Sequence, residues 1–146
     1  MFCYISVFII NYCIASIHTS LGYNYFITGE VVKGRGLGRK LDFPTANIYI
    51  KESYKLIPRD GVYIVKSQYN NNSIFGMMNI GVNPTVRDTD EVSIEVNLLN
   101  FSGNLYGQEL QVKALTRLRD ELKFNSLEDL KIQLSKDERT VSSAMG

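Results

Sequence analysis

The chain has 146 residues, 45% of them apolar, and a formal charge of +1. Length and apolar content bound it to one globular domain with a proper core, and the near-zero charge excludes a broad basic surface for nucleic acid or anionic lipid. Its two cysteines, Cys3 and Cys13, and its single histidine, His18, all lie near the amino end, which excludes from residue 21 onward a Cys/His metal site, a cysteine nucleophile, a histidine general base and a disulfide framework.

Residues 1–20, MFCYISVFIINYCIASIHTS, are apolar and unlike the rest of the chain. No cation precedes Lys33, so no secretory n-region is present, and Asn11 and Tyr12 interrupt the run of about 20 apolar residues that a membrane span needs. The segment is expected to be an extension packed on the body, linker-like or a remnant of a longer protein, with membrane association as the alternative reading. From residue 21 to 146 the chain reads as one domain. YFITGEVVK is β-rich and runs into the loop GRGLGRKLD, after which TANIYI is a strand. GVYIVKSQY alternates, with Val62 and Ile64 on one face and Tyr63, Val65 and Tyr69 on the other. NNNS is a turn, and IFGMMNIG returns as the second strand of a hairpin. GVNPTVRDTD, with Gly81, Asn83 and Pro84, is expected to be a loop. EVSIEVNLLNF is a strand, SGN turns, and ELQVKALTRLR is another strand. The period then changes: Leu127, Leu130, Leu134 and Val141 fall at helical spacing, Ser126 is placed to cap, and Glu128 and Asp129 sit where a helix dipole favours anions. About six strands on short turns predict a closed antiparallel barrel with one C-terminal helix packed on it.

Four places could carry chemistry. Lys33, Arg35, Arg39 and Lys40 crowd a loop in which Gly34, Gly36 and Gly38 allow close backbone approach to a ligand. No P-loop pattern occurs, and a flexible hairpin with solvated charges would read the same way. After Pro44, which suits only a strand start or edge, Thr45 and Asn47 share a strand face. Their two neutral oxygens suit a hard divalent cation completed by phosphate and water, or a packed threonine beside an asparagine serving a backbone group. Glu95 lies mid-strand on the polar face of SIEVNLL. It is either a solvated carboxylate or, with no histidine in the body, the natural proton acceptor for a hydroxyl. Arg119 closes a strand just before a loop, where ligand contacts concentrate, with Arg117 two residues earlier on the same face; both could be edge charges.

In this order, LGYNYFITGEVVKGRGLGRKLDFPTANI, DGVYIV, NIGVNPT, IEVNLLNFSGNLYGQELQV and LRDELKFNSLEDLKIQLSKD resemble riboflavin kinases, most of all the C-terminal kinase module of bacterial bifunctional riboflavin kinase/FAD synthetases. The resemblance runs from about Leu21 to Asp137, and PTAN after a glycine-rich loop is its most specific part. It implies a six-stranded antiparallel barrel that moves the γ-phosphoryl of ATP to the ribityl 5′-hydroxyl of riboflavin, giving FMN and ADP. It implies ATP contacts from Lys33, Gly34, Gly36, Gly38, Arg39, Lys40, Pro44 and Thr45. Thr45 and Asn47 would hold Mg²⁺ or another divalent metal on ATP, Glu95 would be catalytic, and Arg119, Glu121 and Phe124 would hold the flavin. No tightly bound organic cofactor is implied. Small molecules alone are the expected partners, without nucleic acid or membrane, for a cytoplasmic monomer. Asp42 stands where family members commonly have glycine, and Val86 where an aromatic is usual. The adenylyltransferase domain and its HxGH-type motif have no counterpart here, so conversion of FMN to FAD is not expected. The alternatives are a flavin-binding module that no longer catalyses and a small nucleic-acid-binding barrel, the latter disfavoured by the charge.

Overall fold

The structure, a computed structural model, describes residues 21–33, 45–51, 57–84 and 90–145. Six strands, β1 (Phe26–Val32), β2 (Ala46–Tyr49), β3 (Gly61–Tyr69), β4 (Asn72–Pro84), β5 (Asp90–Leu98) and β6 (Glu109–Arg119), precede one helix, α1 (Leu127–Met145). All pairings are antiparallel, and the order β1-β2-β5-β4-β3-β6 closes into a barrel through β1 and β6. The extension expected for residues 1–20 lies outside the described residues. No helix among the described residues is long and apolar enough to cross a membrane.

Alternation along each strand sends one set of side chains inward. Ile27, Val31, Ile48, Tyr63, Val65, Met78, Ile80, Ile94, Val96, Leu110 and Val112 fill the interior. A second cluster, Val62, Ile64, Met77, Leu99 and Val141, lies on the outer face where the helix rests. The sequence assignment of faces in β3 is therefore right, and both faces are apolar because the helix covers the outer one. The β3–β4 hairpin turns on Asn70 and Asn71 at φ 50° and 64°. Asparagine tolerates this left-handed pair, and its twist matches that of the flanking strands.

Two expectations change. The segment GVNP is strand: β4 runs to Pro84, and its register continues from Gly81↔Ser93 to Pro84↔Asp90. The ladder overrides the turn-forming residues, with proline tolerated at the strand's last position. In α1 the predicted stripe is buried only beyond its first turn: Leu130 and Leu134 are half-buried and Val141 is buried. Leu127 is 50% exposed, whereas Asp137 and Val141, one turn apart, are the buried residues. Ser126 does cap the helix, its Oγ accepting from the Asp129 N–H at 3.1 Å, with Glu128 and Asp129 in the first turn.

Candidate functional site

A cavity of about 440 Å³ opens where the end of β1, the start of β2 and the end of β5 meet the β5–β6 connection. Its floor is apolar, from Val31, Val96, Leu98 and Leu105; Lys33, Thr45, Asn47, Phe101 and Tyr106 also line it. The connection is held in shape by its own backbone. Val31 N–H donates to the Gln108 carbonyl and Gly107 N–H to the Val31 carbonyl, both at 2.9 Å, while Asn104 Oδ1 accepts from the Tyr106 N–H at 3.0 Å. Gly107 takes φ +76° to make that return.

Asn47 is also the start of a row on the barrel's outer face. Cross-strand register pairs Asn47 with Glu95, Glu95 with Asn79, Asn79 with Val62 and Val62 with Arg119. Directly opposed residues point to the same side, and neighbouring strands are about 4.8 Å apart. Glu95 is thus one strand from Asn47, which lines the cavity. It is half-buried and engaged by at least one neighbour. Its chain neighbours Ile94 and Val96 are core residues that fix the backbone.

At the far end of the row, Arg119 is committed. Its Nη2 donates to Asp137 Oδ2 at 2.7 Å, its Nε donates to both Asp137 oxygens at 3.1 Å, and its Nη1 donates to the Asp120 carbonyl at 2.9 Å. Gln133 Nε2 adds a bond to Asp137 Oδ1 at 2.9 Å. The arginine thus fastens the helix to the start of the loop that carries Glu121 and Phe124. Glu121 lies over Gly81: a Cβ on that glycine would collide with Glu121 Oε1 and stand 3.2 Å from Ser93 Oγ. Since Gly81 pairs with Ser93, Glu121 sits one outward position from the Glu95–Asn79 pair. Phe124 is half-buried.

Arg117 does not share Arg119's surroundings, contrary to the spacing. An irregularity in β6 places Arg119 opposite Val62 and Arg117 opposite Tyr63, a core residue. There Arg117 Nη2 bonds the Asp60 carbonyl and Asp120 Oδ1, each at 2.7 Å. The Arg117 hydrogen bond holds the Asp120 carboxyl below the usual carboxylate range, and burial raises the Tyr63 phenol.

The structure thus brings Lys33, Thr45 and Asn47 together at one cavity, sets Glu95 across from Asn47, and places Arg119 and Glu121 further along the same face, with Phe124 half-buried in the loop after them. Gly34, Gly36, Gly38, Arg39, Lys40 and Pro44, with Asp42 and Val86, lie outside the described residues. Asn79 was missed from sequence: MMNIG reads as a core strand, and only its outward parity within β4 signals a polar site residue. No cluster of three His, Cys, Asp or Glu able to hold a metal occurs among the described residues. The oxygens of Thr45 and Asn47 nonetheless fit Mg²⁺, which takes one or two hard protein ligands and completes its shell with phosphate and water.

A family model described as Flavokinase: Riboflavin kinase matches residues 21–145. The chain is 47% identical over 119 residues to a bifunctional riboflavin kinase/FMN adenylyltransferase of Listeria monocytogenes, covering 82% of this chain and 38% of that protein. It is 45% identical over 111 residues to the RNA-binding riboflavin kinase RibR of Bacillus subtilis, covering 76% of this chain and 47% of that one. Among solved structures, a Streptococcus pneumoniae chain described as a macrolide-efflux protein superposes with a TM-score of 0.86 at 31% identity, covering 96% of this chain and 45% of that one.

Proposed function

We propose, starting from the fact that this chain belongs to the riboflavin kinase family, that it transfers the γ-phosphoryl group of ATP to the 5′-hydroxyl of riboflavin, giving FMN and ADP. The observation that carries the reading is the cross-strand pair Asn47–Glu95, whose asparagine lines the cavity. It sets a carboxylate one strand away from two metal-suited oxygens, where phosphate and acceptor hydroxyl must meet.

The nucleotide occupies the cavity, with its base and ribose against the apolar floor and its phosphates running past Lys33, Thr45 and Asn47. The loop from Gly34 through Arg39 and Lys40 to Pro44 supplies further backbone and cationic contacts. Thr45 and Asn47 would hold Mg²⁺, which when bound neutralises charge on the β- and γ-phosphates. The flavin lies along the outer face, held by the loop bearing Glu121 and Phe124 that Arg119 anchors. Glu95 accepts the proton of the 5′-hydroxyl, the bond from that oxygen to the γ-phosphorus forms, and the bond to the β,γ-bridging oxygen of ADP breaks. Positioning and electrostatics supply most of the acceleration. We read the protein as a cytoplasmic monomer acting on small molecules. The name of the RibR relative makes a binding assay with single-stranded RNA the check on that last point.

The direct test incubates the purified chain with riboflavin, ATP and Mg²⁺ and separates the flavins by chromatography. An FMN peak requiring all three is expected. No FMN, with flavin fluorescence still quenched, would leave a binding module without catalysis. Thr45→Ala and Asn47→Ala are expected to raise the metal and ATP concentrations needed at least about tenfold, with little change in the KM for riboflavin. An unaltered metal titration rejects the ligand assignment. Gly81→Ala is expected to raise the KM for riboflavin several-fold by displacing the Glu121 carboxylate. Its melting temperature should hold, because the colliding atom is the end of a flexible side chain. An unchanged riboflavin KM would separate Glu121 from the flavin.

A further inference from the structure

Three buried side-chain polar atoms among the described residues meet no hydrogen-bond partner: Tyr25 Oη, Asn79 Oδ1 and Arg117 Nε. Tyr25 belongs to the barrel core, and Arg117 is satisfied at its other nitrogen by Asp60 and Asp120. Asn79 is different. It stands on the outer face directly across from Glu95, next after it in the row that starts at Asn47. A shielded carbonyl oxygen without a donor carries a desolvation cost that none of the described residues offsets. Such a group is retained where a ligand supplies the missing donor.

The row says which ligand. Asn47 marks the phosphate side and Glu95 the hydroxyl that is phosphorylated. The next position, about 4.8 Å further along, falls under the part of the acceptor that follows its terminal hydroxyl. In riboflavin that part is a chain of secondary alcohols. A neutral hydroxyl both donates and accepts, so it can satisfy a carboxamide without adding a charge beside Glu95. The terminal torsion of asparagine is soft, so a turn of the amide suffices to present the oxygen.

We propose that Asn79 is a specificity-determining residue that reads an internal hydroxyl of the polyol chain, and so brings the terminal hydroxyl rather than an internal one to Glu95. The proposal rests on the kinase reading above. A site built to bond a hydroxyl discriminates strongly against an acceptor that lacks it, because its own polar group is then left unpaired.

The test is a double-mutant cycle between residue and substrate. Wild type and Asn79→Leu are each assayed for kcat/KM with riboflavin and with a flavin whose side chain is 5-hydroxypentyl, which keeps the terminal hydroxyl and lacks the internal ones. In wild type the loss of internal hydroxyls should lower kcat/KM at least about a hundredfold, and in the variant that penalty should shrink by at least about tenfold. If the melting curve shows that Asn79→Leu does not fold, Asn79→Ala is used with the same criterion. An equal penalty in wild type and variant, both making FMN, overturns the role of Asn79 and leaves the kinase reading standing. Absence of FMN from wild type with riboflavin overturns the kinase reading itself.

Discussion

Glu95→Gln is expected to lower kcat at least about a hundredfold while riboflavin binding, followed by fluorescence quenching, stays close to normal. Glutamine keeps the size of the side chain and one acceptor oxygen, so packing on β5 between Ile94 and Val96 survives. It removes the capacity to take a proton at neutral pH. The chain has no histidine after His18 to replace Glu95, and the neighbours directly across the ladder, Asn47 and Asn79, are neutral amides. Turnover near the wild-type rate would take Glu95 out of the proton transfer and leave it as a strand residue.

Asp137→Ala should produce the largest loss of stability. The Asp137 side chain is 4% exposed and that of Arg119 is 18% exposed. Removing the carboxylate strands a largely buried guanidinium that it now meets with three hydrogen bonds. Breaking such a pair from one side costs about 3–5 kcal/mol, or a fall in melting temperature of roughly 10 °C or more for a domain of this size. Replacing both partners by apolar residues, Arg119→Met with Asp137→Leu, should recover much of that loss. The KM for riboflavin should stay raised in the double variant, because the Asp120 carbonyl no longer has Arg119 to hold the start of the loop proposed to bind the flavin. A melting temperature within about 2 °C of wild type for Asp137→Ala would show that the ion pair is not fastening the helix.

The barrel was legible because alternation in GVYIVKSQY and SIEVNLL, and turn residues between strands, are local signals. The asparagine turn and the Ser126 cap are local too. What the sequence hid was every feature set by pairing at a distance. Asn83 and Pro84 read as a loop because turn propensity is visible in a window of a few residues, whereas the β5 ladder that keeps them in a strand is not. Leu127 looked like core because helical spacing reports a stripe but not how much of its length meets the barrel. Arg119 looked like a free cation because its partner is eighteen positions away in the helix. Arg117 and Arg119 looked alike because a bulge cannot be counted from spacing. For the site, Thr45, Asn47 and Glu95 could be singled out by residue type, and Glu121 and Phe124 only through the family resemblance. Asn79 gains meaning only when register places it beside Glu95.

The order of strands has a consequence for synthesis. β6 is the last strand made, yet it alone joins β1 to β3. Until residues 109–119 have left the ribosome, the edges of β1 and β3 have no partner, and the buried half of the helix has no finished surface to rest on. Nascent chains therefore carry four open strand edges until β5 joins β2 to β4, and two until β6 follows, the condition under which chains pair with one another instead of folding. Completion of β6 removes both edges in one event. A chain stalled before residue 109 is expected to need a chaperone, and one stalled after the helix to fold unaided.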